Sequence, residues 1–299
     1  MATATAARKL KGKDPGEAKR SKAKILVFGR AGVGKTWVSM DFANVYYIDV
    51  EGGANQPQYK EKLKESGAAY FGPEDGSQDF DVVLEEIITL ATVKHPYKTV
   101  VIDSYSKLFN KCAAEQEEKL VSAGQKVEFA VEKKLAVRKT RKLINWLDRI
   151  DMNVILICHE KPTWSNGEQT GQTYDGWDKL EYELDLTLQI QRRGSDKRIA
   201  MVRKTRLVEF PDGSSFDWTY NEFARRYGKD ALEGDTRSIA LATAEQVTTI
   251  NQLIRTIRIP QEEIDKWFSK AKVESFEEMD TATIQKCIEH LTKKVSTAA

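Results

Sequence analysis

Residues 29–36 read Gly29-Arg30-Ala31-Gly32-Val33-Gly34-Lys35-Thr36. The order of residue types, G-x-x-x-x-G-K-T, is that of a phosphate-binding loop. Its flanks suit the reading. Ile25-Leu26-Val27-Phe28 before it is a short apolar run expected to be a buried strand, and Thr36 to Phe42 after it can form a short helix. Glycines let the backbone wrap a phosphate with its N–H groups turned inward, and the positive end of the following helix adds to the attraction. Gly29, Arg30, Ala31, Gly32, Val33 and Gly34 are therefore candidate nucleotide contacts. Lys35 is expected to reach the β- and γ-phosphates of ATP, and the Thr36 hydroxyl to ligate Mg²⁺.

Composition limits what surrounds this loop. With 299 residues, of which 40% are hydrophobic, the chain can build an α/β domain of ordinary size and a small second one. The net charge of +2 points to no class of partner, so the local distribution of charge matters more. Cys112, Cys158 and Cys287 have neither metal nor disulfide spacing, which argues against structural zinc and suits a reducing cytoplasm. No apolar run approaches membrane length, and the first residues lack the hydrophobic region of a signal peptide. A cytoplasmic protein with no membrane contact is expected.

Along the chain, residues 1–24 carry eight Lys/Arg against two acids and no apolar periodicity, and read as a disordered basic arm. Asn44 to Val50 is a second strand, running into Glu51-Gly52-Gly53. Residues 54–80 are polar, with one short helix near Pro57 to Ser66, and Asp81 to Thr92 has helical periodicity. Thr99 to Ser104 is a strand, Lys107 to Arg149 a long charged helical stretch, and Asn153 to Cys158 another strand. Residues 162–180 read as a Gly-rich loop. Leu184 to Gln191 and Arg198 to Arg203 form a hairpin around Arg193-Gly194-Ser195-Asp196. Strands alternating with helices, then a hairpin, predict a mostly parallel sheet with helices on both faces over residues 25–222. A polar linker over 223–242 is expected to lead to a three-helix module over 243–293, opened by a capping box of Thr243 with Gln246.

Two acids complete the chemistry. Asp103 ends an apolar strand in the Walker B manner and is expected to hold Mg²⁺ beside Thr36. Hydrolysis also needs a group to orient and deprotonate water, and Glu51 ends the strand after the loop helix. Tyr47-Ile48-Asp49-Val50-Glu51-Gly52 resembles the RecA/RadA recombinase class, whose glutamate stands at that place. Val101-Ile102-Asp103-Ser104 is similar to the Walker B strand of that class. Ile155-Leu156-Ile157-Cys158-His159 is similar to the strand that ends in its γ-phosphate sensor, usually Gln; here His159 takes the place. Val202-Arg203-Lys204-Thr205-Arg206 is similar to the Lys-x-Lys or Lys-x-Arg element that RecA-like ATPases offer to a neighbour's nucleotide. The short loop helix and the Asp-x-Glu-Gly-Gly segment look most like those of compact phage-encoded RecA-like ATPases, a group of AAA-type nucleotide-binding and single-strand annealing recombination proteins.

That resemblance implies a RecA-like P-loop NTPase core using ATP and Mg²⁺, self-association into a ring or filament, and single-stranded DNA as partner, with a single-strand-binding protein as a further one. It implies the cytoplasm of a phage-infected or prophage-bearing cell. Family members bind DNA through the loops after the Walker B and sensor strands. The corresponding residues here are Lys126, Lys133 and Lys134, then Lys161, Trp164, Tyr174 and Trp177. Their aromatic rings suit stacking on unpaired bases, with packed core beneath the loop as the alternative. The expected activity is DNA-stimulated ATP hydrolysis in annealing or strand exchange. A helicase or loader motor on the same core and an ATP-gated scaffold with negligible turnover are the alternatives.

Overall fold

The computed structural model describes residues 21–124 and 131–298. Its sheet is organised around β1 (Lys24–Gly29), every residue of which is buried. The other parallel strands are β2 (Val45–Asp49), β3 (Ala69–Phe71), β4 (Thr99–Asp103), β5 (Asn153–Ser165) and β7 (Leu186–Arg193). β8 (Lys197–Thr205) and β9 (Ser215–Asp217) add on antiparallel. The order across the sheet is β3-β2-β4-β5-β1-β7-β8-β9, and β6 (Glu168–Tyr174) pairs with an extension of β5. This is the mostly parallel α/β sheet that the alternation of elements predicts.

Side chains alternate across β1, so one apolar run serves two cores. Leu26 and Phe28 face a core built with α3 (Phe80–Thr92), α4 (Tyr105–Ser122) and α5 (Val131–Arg149). Ile25 and Val27 face the other, which holds Val38 of α1 (Lys35–Ser39) and Leu63 of α2 (Pro57–Glu65). It also takes Phe223 and Tyr227 of α7 (Tyr220–Tyr227) and Leu232 of α8 (Lys229–Glu233).

Several boundaries differ from the sequence reading. The basic arm does not reach residue 24: Lys22, Ala23 and Lys24 are buried, and residues 1–20 lie outside the described residues. The first half of the stretch expected to be a linker over 223–242 is helical and packs on the core, because Phe223, Ala224, Tyr227 and Leu232 are spaced to bury one face of α7 and α8. The helical stretch 107–149 is two helices, α4 and α5. Tyr105 Oη donates to Thr140 Oγ1 at 3.4 Å, which sets the first turn of α4 level with the middle of α5. The stretch 162–180 is no loop; β5 and β6 form an antiparallel hairpin there, closed by Asn166-Gly167, and α6 (Leu180–Glu183) follows. β3 and β9, three residues each, carry too little periodicity to be seen in the sequence.

At the C-terminal end α9 (Ala244–Ile257), α10 (Gln261–Ala271) and α11 (Thr281–Ala298) enclose a core of their own around Ile250, Ile264, Phe276, Ile284 and Leu291. The Thr243–Gln246 capping box is present. Lys142 to Glu278 at 2.8 Å and Lys272 to Asp148 at 2.6 Å tie this unit to α5.

Candidate functional site

Strand register brings the sequence-distant acids and the loop to one edge. Gly29 pairs with His159, and Asp49 pairs with Asp103, so the C-terminal ends of β1, β2, β4 and the buried half of β5 finish together. The loop leaves β1 at Gly29 with φ 151°, where a Cβ would sit 2.4 Å from the Ile190 carbonyl oxygen; only glycine fits both the dihedral and the neighbour. Beside the loop is a cavity of about 540 Å³, lined by Gly29–Gly32, Lys35, Thr36, Glu51, Asp103, His159, Glu160 and Gln172.

The loop is closed on itself. Lys35 Nζ donates to the carbonyls of Gly29 at 2.7 Å and Arg30 at 2.9 Å, and burial lowers its pKa. Thr36 Oγ1 donates to Asp103 Oδ2 at 2.5 Å, and Tyr47 Oη donates to the same oxygen. Burial raises the pKa of Asp103, against the two hydroxyl hydrogen bonds. A buried ammonium and a buried carboxyl thus stand side by side with only neutral partners in hydrogen bonds. Magnesium triphosphate would supply a counter-charge to each. The donor set fits as well: one hydroxyl and one carboxylate are hard oxygen ligands, and no cluster of three or more acidic, His or Cys side chains among the described residues could hold a metal unaided. Thr36 and Asp103 would hold Mg²⁺, and Lys35 with the loop N–H groups the phosphates.

Glu51 stands across the cavity. Its Oε1 accepts from Ser104 Oγ and lies 2.5 Å from His159 Nε2. Burial raises its pKa, but the Ser104 hydrogen bond and the His159 charge outweigh that and leave it below the usual carboxylate value. An ionised carboxylate held in the cavity wall is what a water-activating base requires. The turn that carries Glu51 is set by Asp49, whose carboxylate accepts the N–H groups of Glu51, Gly52 and Ala54 at 3.2, 2.8 and 2.9 Å. The sequence reading missed Tyr47, Asp49, Ser104, Glu160 and Gln172. A tyrosine inside an otherwise apolar strand was a usable signal, since a buried phenol needs a partner; nothing local marked Gln172.

The residues expected to touch DNA separate. Trp164 is 64% exposed near the tip of the β5–β6 hairpin. Tyr174 and Trp177 are buried instead, and neither ring is free to stack on a base. Tyr174 packs edge-on against Phe28 of β1, and its hydroxyl donates to the Trp177 and Asp178 carbonyls at 3.2 and 3.0 Å. Lys161 pairs with Asp178 at 3.4 Å. Lys133 and Lys134 are exposed on the first turn of α5, and Lys126 lies outside the described residues.

Lys204 and Arg206 are not brought to the site. Lys204 pairs with Thr187 at the start of β7, level with Leu26 and on the far side of the sheet from the loop. Lys204 donates to the Leu184 carbonyl and Arg206 to that of Tyr182, and Arg206 pairs with Asp185 at 3.5 Å.

A parallel sheet with this loop, a Walker B acid and a glutamate across the cavity defines a P-loop NTPase. The chain belongs to the AAA domain family AAA_24, whose model matches residues 21–210. It carries an AAA-type ATPase domain. No curated protein matches it, and no helix among the described residues is long and apolar enough to cross a membrane.

Proposed function

We propose that this chain is a RecA-like, DNA-stimulated ATPase that assembles on single-stranded DNA and promotes annealing or strand exchange, of the phage-encoded kind. The observation that carries this is β5. Its buried half ends at His159 in the nucleotide cavity, and its outer half continues into the hairpin that holds Trp164 out to solvent. One strand therefore joins the γ-phosphate end of the site to an exposed aromatic arm, a direct route for nucleotide state to alter DNA contact. Stacking on such a ring is worth about 1–3 kcal/mol per base. The five-residue α1 and the Asp49-Val50-Glu51-Gly52-Gly53 segment support the phage assignment.

The same reading includes self-association, and the position of Lys204 and Arg206 supports it. Lys204 and Arg206 lie at the sheet edge remote from their own loop, which suits cations offered to the nucleotide of another subunit. Head-to-tail contact of that kind closes into rings or extends into filaments. The deciding experiment is steady-state ATP hydrolysis with and without single-stranded DNA. Stimulation several-fold or more is expected; turnover that stays negligible in both conditions would replace the enzyme with an ATP-gated scaffold.

A further inference from the structure

The β7–β8 hairpin ends in a cluster of cations that nothing above uses. Arg192 stands directly opposite Arg198, and Arg193 opposite Lys197. Like charges in directly opposed cross-strand positions repel, and here two such pairs follow one another. No ion pair joins any of the four to an acid among the described residues. Arg192, Arg193 and Lys197 are exposed and Arg198 half-buried, so the tip is a cationic surface that favours an anion.

Position says which anion. Glu51 follows β2, Asp103 ends β4 and His159 lies in β5, all on one side of β1. The γ-phosphate end of a nucleotide therefore lies on that side, where water and Mg²⁺ are handled. A triphosphate threaded through the loop then leaves it toward β7 and β8. Phe28 pairs with Gln189, so residues 191–193 run past the level of the loop's first glycine. Arg198 comes closer still. At Gly34, φ 93°, a Cβ would lie 2.1 Å from Arg198 Nε and 2.3 Å from its Cδ, so the arginine lies directly against the loop backbone just before Lys35.

We propose that Arg198, with Arg192 opposite it, grips the α-phosphate and ribose of the nucleotide bound in the same chain. The assignment rests on the reading of residues 29–36 as an ATP site. It gives the chain a cation on the nucleoside half of the ligand, as Lys35 is the cation on the β- and γ-phosphates. It also gives Gly34 a second reason to be glycine, since any side chain there would displace the arginine.

The test is titration calorimetry with Mg-ATP and Mg-ADP on the full chain. Arg198→Met keeps an aliphatic stem against Gly34 and removes the charge. The dissociation constants for ATP and ADP are expected to rise by the same factor, about tenfold, the loss of one charged hydrogen bond. Arg198→Lys should recover most of that affinity. Arg192→Gln, at the exposed member of the pair, should weaken both ligands equally but less, and serves if Arg198→Met melts early. Unchanged affinities in both variants overturn the proposal. So does a loss for ATP alone, which would move the contact to the γ-phosphate, and so does a loss of DNA binding with nucleotide affinity intact, which would make the tip a nucleic-acid contact. Failure of the wild-type chain to bind ATP overturns the site itself, a separate result.

Discussion

Glu51 and Lys35 line one cavity, and their substitutions should fail differently. Lys35 would be the positive charge on the phosphates, so Lys35→Ala should abolish measurable ATP binding. Glu51 is hydrogen-bonded to Ser104 and His159, and no hydrogen bond among the described residues joins its side chain to the loop. Glu51→Gln should therefore bind ATP with near wild-type affinity while turnover falls about 10²–10⁴-fold, the usual worth of a general base. Rapid-quench hydrolysis beside a filter-binding assay separates the two. Near-normal turnover in Glu51→Gln would move the base to another residue. Lys24 shows that the opposite edge is also charged. Burial pushes its pKa down to about 7 from 10.5, although Nζ donates to the Ile150 and Met152 carbonyls. Between about pH 7 and 10.5 the unfolded chain then binds the more protons, so stability rises with pH, by at most about 1.4 kcal/mol per unit. Below pH 7 both states are protonated and the penalty is constant. Thermal melts from pH 7 to 9 should climb more steeply for the wild type than for Lys24→Met, and equal slopes would mean that Lys24 titrates normally.

At the scale of elements the β5–β6 hairpin is the informative piece. Its base is core: Tyr174 and, just beyond it, Trp177 fill the layer under β1. Its tip is solvated, with Trp164 the large ring there. The three aromatics, alike in sequence, should thus respond in two ways. Trp164→Ala should leave the melting temperature unchanged and weaken single-stranded DNA binding by about 1–3 kcal/mol, read by fluorescence anisotropy. Trp177→Ala should cost about 3–5 kcal/mol of stability, as large-to-small changes in cores do. A Trp164→Ala chain that binds DNA normally would remove the arm from the DNA path. The connector after β9 divides in the same way. Glu222, Arg225 and Arg226 made it look like solvated chain, yet they form one ion-paired face of α7 while Phe223 and Tyr227 are buried on the other.

For the whole molecule the question is how many chains make one active site. Each sheet carries the loop, Asp103 and Glu51 at one edge and Lys204 with Arg206 at the other. If ATP bridges two subunits, Arg206→Ala keeps a sound Glu51 and Glu51→Gln keeps a sound Arg206. Mixing the two inactive variants should restore a measurable part of the ATPase rate, because some junctions pair both good residues. Arg206→Ala alone should lose about 10³–10⁵ in rate, the range for arginine fingers. Wild-type activity per subunit should rise with protein concentration. No recovery on mixing, with a rate independent of concentration, would confine the site to one chain. To reach a neighbour's nucleotide Arg206 would have to leave Asp185 and the Tyr182 carbonyl, so on that reading Asp185→Asn should raise activity at low concentration.

The loop, its strand and helix, and the acid of β4 were legible in the chain before any folding was considered. Each is a contiguous signal: glycines at set spacing for a phosphate, and apolar runs such as Ile25–Phe28 and Val100–Ile102 that only a strand buried on both faces sustains. The three C-terminal helices were legible for the same reason, since their 3.6-residue periodicity and the Thr243 cap are local. Which aromatic faces solvent was not, because Trp164, Tyr174 and Trp177 differ only in distance from the β1 core. Nor were the roles of Tyr47 and Asp49, whose partners arrive through register with β4 and through the turn after β2. Folding alone set Arg198 against Gly34 and Lys204 at the far edge. Those positions follow from strand order, and strand order is a property of the whole sheet that no single stretch of sequence carries.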